Sequence, residues 1–318
     1  MDAELIQRIK NCKTLPAIPA LPLQVLQMCR SEDADIKKLS NLISKDPTFV
    51  AKVLNVSNSS FYGGVRHKVT TVTQAITLLG MNSVATLAFC FSLYRDLKKH
   101  GGTGFDHVQY WRRSMLAGVA GRVVGGWRRI IDREEIFLAS LLQDIGILVL
   151  SETHAEVYGN LMADAKKNHQ QLLDLEKQHI GADHTEVGAW LGEFWQLPEL
   201  LQLAIRSSHN LDEVKIPDEF RDVIACVAIS GKIADIWCDP ETAQATQEAM
   251  NAAKEWHQME SQDLSGLLGE IASAFLEMTG VFQIDIGNPQ EIDETLKVAQ
   301  EILSQASTPE LVPSAPAS

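Results

Sequence analysis

Cysteine, aromatic residues, positive charge and long apolar runs are all scarce in this 318-residue chain, and each scarcity narrows what it can be. The five cysteines (Cys12, Cys29, Cys90, Cys226 and Cys238) are scattered without CxxC spacing, and read as reduced, small apolar residues of a cytosolic protein. Lys and Arg number 28 against 41 Asp and Glu. The resulting net charge of −13 favours solubility and argues against general affinity for nucleic acid. The longest nearly apolar stretch, Val84 to Tyr94, is too short to span a bilayer. Residues 1–10 are polar and mixed in charge, unlike a secretory signal. A soluble, cytoplasmic protein with no membrane and no nucleic-acid contacts is expected. There is no Gly-x-Ser-x-Gly, no HExxH and no Cys/His dyad, and no Walker lysine follows Gly63-Gly64.

What remains favours helices. Apolar residues make up 45% but aromatics only 6%, with Ala, Leu, Gln and Glu abundant. The length suffices for one large or two medium domains. Apolar spacing predicts helices over 2–12, at Val25–Cys29, at Ile36–Ile43 and at Phe49–Val56. The prolines between Leu15 and Pro22 keep that segment out of helix. Thr71 is the predicted cap of a helix that Gly80 stops. Residues 81–98 are apolar all round and should be buried. His100 to Gly104 reads as a hinge. Further helices are predicted at 106–127, Glu134–Leu150, 153–167, 170–179, 184–195, 198–208, Asp218–Cys238, 241–257, 262–279 and 289–305. Val281–Ile286 is the only weak strand candidate, and 308–318 should be disordered. The expected fold class is all-α.

Ordered phrases run along the helices: Leu15-Pro-Ala-Ile-Pro, Ile43-Ser-Lys-Asp-Pro, Ala51-Lys-Val-Leu-Asn-Val-Ser-Asn-Ser, Val72-Thr-Gln-Ala-Ile-Thr-Leu-Leu-Gly, Tyr110-Trp-Arg-Arg-Ser114, Leu141-Leu-Gln-Asp-Ile-Gly146, His184-Thr-Glu-Val-Gly-Ala189 and Trp195-Gln-Leu-Pro198. Over about 14–238 they resemble the HDOD domain, the HD-related output domain of bacterial signalling. The resemblance implies a multi-helical HD-like fold used in signal transduction, usually without catalysis. The parts are then an N-terminal helical subdomain (1–100), an HD-like subdomain with a degenerate metal site (101–238), a C-terminal helical extension (239–307) and a tail (308–318). The Gly-Tyr-Pro signature of related cyclic di-nucleotide phosphodiesterases is missing.

An HD site holds divalent metal with His and Asp, activating water against a phosphate ester. The superfamily pattern places its first His at Arg113, its His-Asp pair at Gln143-Asp144, later histidines at His184 and at Ser208-His209, and a closing Asp at Asp235. Asp144, His184, His209 and Asp235 keep ligand types, whereas Arg113, Gln143 and Ser208 do not. A guanidinium turned into the pocket is a permanent cation where an imidazole lone pair belongs. Two unit charges about 4 Å apart interact by roughly 4 kcal/mol at an effective dielectric of 20, and a dication would feel about twice that. The expectation is that Arg113 pairs with Asp144 or Asp235 where a metal once sat, so that no catalytic residue and no cofactor is expected. Singly, Asp144 also reads as a residue bridging helices, and His209 as an exposed histidine before a turn.

The rival is a phosphohydrolase using Asp144, His184, His209 and Asp235 with Mn²⁺ or Mg²⁺. A third reading keeps the pocket for a small anion or nucleotide bound by Arg113. Between Arg95 and Arg133, nine Lys/Arg against three acids give a local excess of +6, either a docking face or a solvated helix surface. No receiver, cyclase or kinase segment is recognised beside the module. The expected action is therefore by contact with a kinase, cyclase or second-messenger protein.

Overall fold

Side-chain caps open seven of the helices in the computed structural model, which describes residues 1–12, 24–25, 28, 35–62, 68–97, 105–165, 168–211, 214–285 and 288–306. The expected hinge at 100–104, the proline-rich segment at 15–22 and the tail lie outside these residues, as does most of the helix expected at Val25–Cys29. Asp2 caps α1 (Ala3–Lys10), and Asp35 caps α2 (Ile36–Ile43). Asp46 caps α3 (Pro47–Ser57), whose first residue is a proline that needs no amide there. Thr71 and Gln74 close a capping box on α4 (Val72–Leu79). Gly80 then adopts φ +85°, and the chain turns by 113° into α5 (Met81–Leu97), buried on most sides as expected.

The second half opens with α6 (His107–Trp127), capped by Asp106 and buried along most of its length. There follow α7 (Arg133–Leu142), α8 (Ile145–Thr153), α9 (Ala155–Asp164), α10 (His169–Ile180), α11 (His184–Phe194), α12 (Glu199–Ser207) and α13 (Asp218–Cys238). Helices α6, α7 and α13 form the centre, with α11 laid across α8 and α12. The last three, α14 (Thr242–His257), α15 (Ser261–Phe282) and α16 (Pro289–Ala306), pack back onto this centre. Helix α15 also reaches α3, and its Glu277 accepts from the Ser60 and Phe61 amides at 2.7 and 3.0 Å. No strand occurs among the described residues, and Val281–Phe282 ends α15 instead. The protein is all-α.

Two expectations are corrected. The helix predicted over Glu134–Leu150 is interrupted at Gln143–Asp144. The Gln143 side-chain amide donates to the Ser140 carbonyl at 3.0 Å, the acceptor that an unbroken helix would give to the Asp144 amide. Asp144 departs to φ −106°, ψ 17°, and bonding resumes with Ile147 N to Asp144 O at 2.9 Å. Nor is Val84–Tyr94 the limit of apolar length. Arg133–Thr153, taken across its interruption, and Ser261–Phe282 are both long and apolar enough to cross a membrane. In this fold 89% of the first window and 50% of the second are buried inside the protein, so much of that apolar surface faces other helices.

Arg122, from the middle of α6, ties the halves together. Its guanidinium carbon lies 4.3 Å from the ring centres of both Phe61 and Tyr62, in the 3-10 turn Ser60–Tyr62. Its Nε donates to Glu134 Oε1 at 2.7 Å, and the Tyr62 hydroxyl donates to Glu134 Oε2 at 2.7 Å. Part of the basic stretch is therefore turned into the fold or paired with acidic residues. Arg113 and Arg122 point inward, Arg112 pairs with Glu291 (3.5 Å), Arg128 with Asp222 (3.1 Å), and Arg95 with Asp96 and Asp46 (2.9 and 3.4 Å). Lys98 and Lys99 lie outside the described residues.

Candidate functional site

Four helix ends meet at one carboxylate. Asp144 sits in the break between α7 and α8 and is 2% exposed. The Asn168 side chain caps α10, which makes His169 its first residue, and the Asp183 side chain caps α11, which does the same for His184. His209 follows the C-terminal end of α12. The approach is close because Gly146 lies against the backbone of α11, where a β-carbon would come within 2.0 Å of the His184 carbonyl oxygen.

The two oxygens of Asp144 face different chemistry. Oδ2 accepts from Arg113 Nη1, while Arg113 Nε donates to Asp235 Oδ1 at 2.9 Å and Nη2 faces the Gly231 carbonyl at 3.5 Å. Arg113 is 7% exposed, so this cation is an internal one. Oδ1 faces three imidazoles instead: His209 Nε2 at 3.0 Å, His169 Nε2 at 3.2 Å and His184 Nε2 at 3.6 Å. His169 Nε2 is also 3.2 Å from His184 Nε2. The ligand atoms of Asp144, His169, His184 and His209 all lie within 4.8 Å of one another.

Glu176, fully buried and seven residues along α10 from His169, holds His184 in place. Its Oε2 accepts from the His184 amide at 2.8 Å and from His184 Nδ1 at 2.7 Å, and its Oε1 accepts from the Tyr158 hydroxyl. With Nδ1 committed outward, His184 turns Nε2 to the centre.

The charges follow. Burial pushes the Asp144 carboxyl up, but Arg113 and then His169 pull it further down, to well below the usual carboxylate range. Burial and the Arg113 charge lower His169 well below an ordinary imidazole, and burial lowers His209. Burial also works against the charged form of His184, yet Glu176 outweighs it and the net shift is upward. The centre is thus an ionised carboxylate held between a guanidinium and a group of imidazoles.

The sequence placed Arg113, Asp144, His184, His209 and Asp235 here, and the structure brings all five together. Asp235 meets Arg113 rather than the histidines. Gln143 is buried beside them, but its amide turns back to Ser140 and its Oε1 has no partner. Ser208 donates to the Ile205 carbonyl at 2.9 Å and is occupied within its own helix end. His209 is largely buried, not exposed. His169 and Glu176 were missed. The sequence marks each histidine only as following a capping residue, Asn168-His169 and Asp183-His184, with a glutamate two turns on from the first, and does not say that the two helix starts meet.

The donors around Oδ1 fit a metal ion, and those around Oδ2 do not. His169 Nε2 has a single in-plane site, so it cannot both donate to Asp144 and accept from His184. A cation among the four groups removes that conflict. On the other side, Arg113 already spans Asp144 and Asp235. Beside the centre lies a cavity of about 70 Å³ reached by Tyr110, Arg113, Asp144 and His169 and otherwise lined largely by apolar side chains such as Ile147 and Leu172.

The model of the HDOD domain family matches residues 15–211. A protein of Treponema pallidum (strain Nichols), recorded as uncharacterized, is 25% identical over 234 residues, covering 72% of this chain but only 43% of that protein. This chain therefore spans less than half the length of that curated relative. Among solved structures, an HDOD domain protein of Geobacter sulfurreducens superposes with a TM-score of 0.69 at 17% identity, covering 87% of this chain and 95% of that one. A provisionally named phosphohydrolase of Shewanella amazonensis SB2B gives 0.61 at 20% identity, with 95% and 98% covered. These two likenesses establish the fold. With the family model spanning well over half its length, the chain belongs to the HDOD domain family.

Proposed function

We propose that this protein is a non-hydrolytic signalling module that acts through contacts with other proteins, such as a kinase, a cyclase or a second-messenger protein. The observation that carries the reading is Arg113 bridging Asp144 and Asp235. A phosphohydrolase of this superfamily needs dications beside those carboxylates to polarise a phosphate ester and to activate water. Here a guanidinium takes that side and pairs with both acids without offering a ligand position.

Two further observations support it. Nε, Nη1 and Nη2 of Arg113 are all aimed at protein acceptors, which removes the main anchor for an anion or nucleotide. The adjacent cavity, at about 70 Å³, is also well below the roughly 300–1,000 Å³ of ordinary small-molecule sites. Asp144, His169, His184 and His209 are the residues that would hold an ion, which when bound supplies Lewis acidity. Arg113 keeps Asp144 ionised, and Glu176 orients His184.

A phosphoesterase panel on the purified chain with Mn²⁺ or Mg²⁺ is expected to give no turnover above that of Asp144→Ala. Metal-stimulated hydrolysis lost in Asp144→Ala would overturn the reading.

A further inference from the structure

Asp144 is shared between two half-sites, and only one of them is filled by the protein itself. On the Oδ1 side, three Nε2 atoms and one carboxylate oxygen come together. Protons alone satisfy them poorly, since His169 Nε2 stands 3.2 Å from both a carboxylate oxygen and another ring nitrogen. Charge points the same way. Asp144 and Asp235 share the single guanidinium of Arg113, and Glu176 is a third carboxylate accepting three hydrogen bonds from Tyr158 and His184. A cation among the imidazoles suits a cluster in which the acids outnumber the one fixed positive charge.

We propose that Asp144, His169, His184 and His209 form a site for a single transition-metal ion of the zinc class, one per chain, that clasps α8, α10, α11 and the end of α12. The site rests on the reading above that Arg113 occupies the other half. His169, which lies outside the His-Asp ligand pattern laid on the sequence, is the residue that completes it. Three imidazoles and one carboxylate are the donor set of Zn²⁺, Co²⁺ or Ni²⁺ and a poor one for Mg²⁺, which takes oxygen ligands and keeps its waters. The hydrogen bond from His184 Nδ1 to Glu176 is the outer contact that fixes such a ligand and makes it more basic. The ion's role is to fasten helix ends.

The test uses the full chain stripped of metal and titrated with Zn²⁺, Co²⁺ and Mg²⁺, read by metal content, by calorimetry and by the visible absorption of Co²⁺. One Zn²⁺ or Co²⁺ per chain, a Co²⁺ spectrum of low-symmetry nitrogen coordination and no competition from excess Mg²⁺ are expected. His169→Ala is expected to weaken binding by at least about 10-fold and to change the Co²⁺ spectrum. Glu176→Gln, which keeps the shape, should weaken it less. The double variant Arg113→His/Gln143→His should take up a second ion. No ion bound by the unaltered chain, or binding indifferent to both His169→Ala and Glu176→Gln, would overturn the site while leaving the non-hydrolytic reading intact. Hydrolysis by the ion-loaded chain would overturn that reading and leave the site standing.

Discussion

At the scale of single residues, the buried Arg113 carries the heaviest consequence. Arg113→Ala leaves Asp144 and Asp235 facing each other without their cation. Loss of one partner from a buried ionic cluster costs about 3–5 kcal/mol, so a shift of that size in a urea transition is the expected result. Gly146 is the second such residue. Its β-carbon would meet backbone rather than a flexible side chain, so Gly146→Ala must move α8 off α11. A loss of about 3 kcal/mol is expected, at the upper end for overpacked cores, and denaturant titration measures it.

At the scale of elements, caps made the sequence legible. Thr71 is a local signal with a local cause and starts α4 where the sequence put it, while Asp46-Pro47 starts α3 two residues before the Phe49 that spacing gave. Thr71→Ala removes one arm of a solvent-facing capping box, and about 1 kcal/mol of stability should go with it in thermal unfolding. The break at Gln143–Asp144 was illegible for a physical reason. Both sides of it are apolar and helical, and what interrupts the ladder is a side-chain amide competing for one carbonyl. Asp235 could be placed at the centre by its order along the chain, but not assigned to Arg113 rather than to the histidines. That choice depends on how α13 lies against α6. His169 was missed because nothing about one histidine at a helix start says which other helix starts it will meet.

At the scale of the whole molecule, the C-terminal helices are fastened to both halves. Trp237 Nε1 donates to the Ile292 carbonyl at 3.1 Å, and Lys52 Nζ to the Phe282 carbonyl at 3.3 Å. A chain ending at Cys238 would expose the apolar faces that α14, α15 and α16 cover, and it is expected to lose the cooperative thermal transition seen by circular dichroism. Stability should also fall with acid in a defined window. Burial, and next the Arg8 charge, lower His154 from the usual 6.5 to about 4. Between those values the unfolded chain takes up a proton that the folded one refuses, so folding weakens as pH drops from 6.5 towards 4. His154 is half-exposed, so the slope is modest, and His154→Gln should flatten it in denaturant titrations across that range.

Helix α7 joins two features that lie far apart in sequence. Its first turn carries Glu134, gripped by Arg122 and Tyr62, and its last residue leads directly into Gln143 and Asp144. Ten residues of helix make a strut about 15 Å long. With both ends pinned, the strut sets the spacing between the Ser60–Tyr62 turn and the central carboxylate, so the rim and the middle of the fold share one rigid spacer.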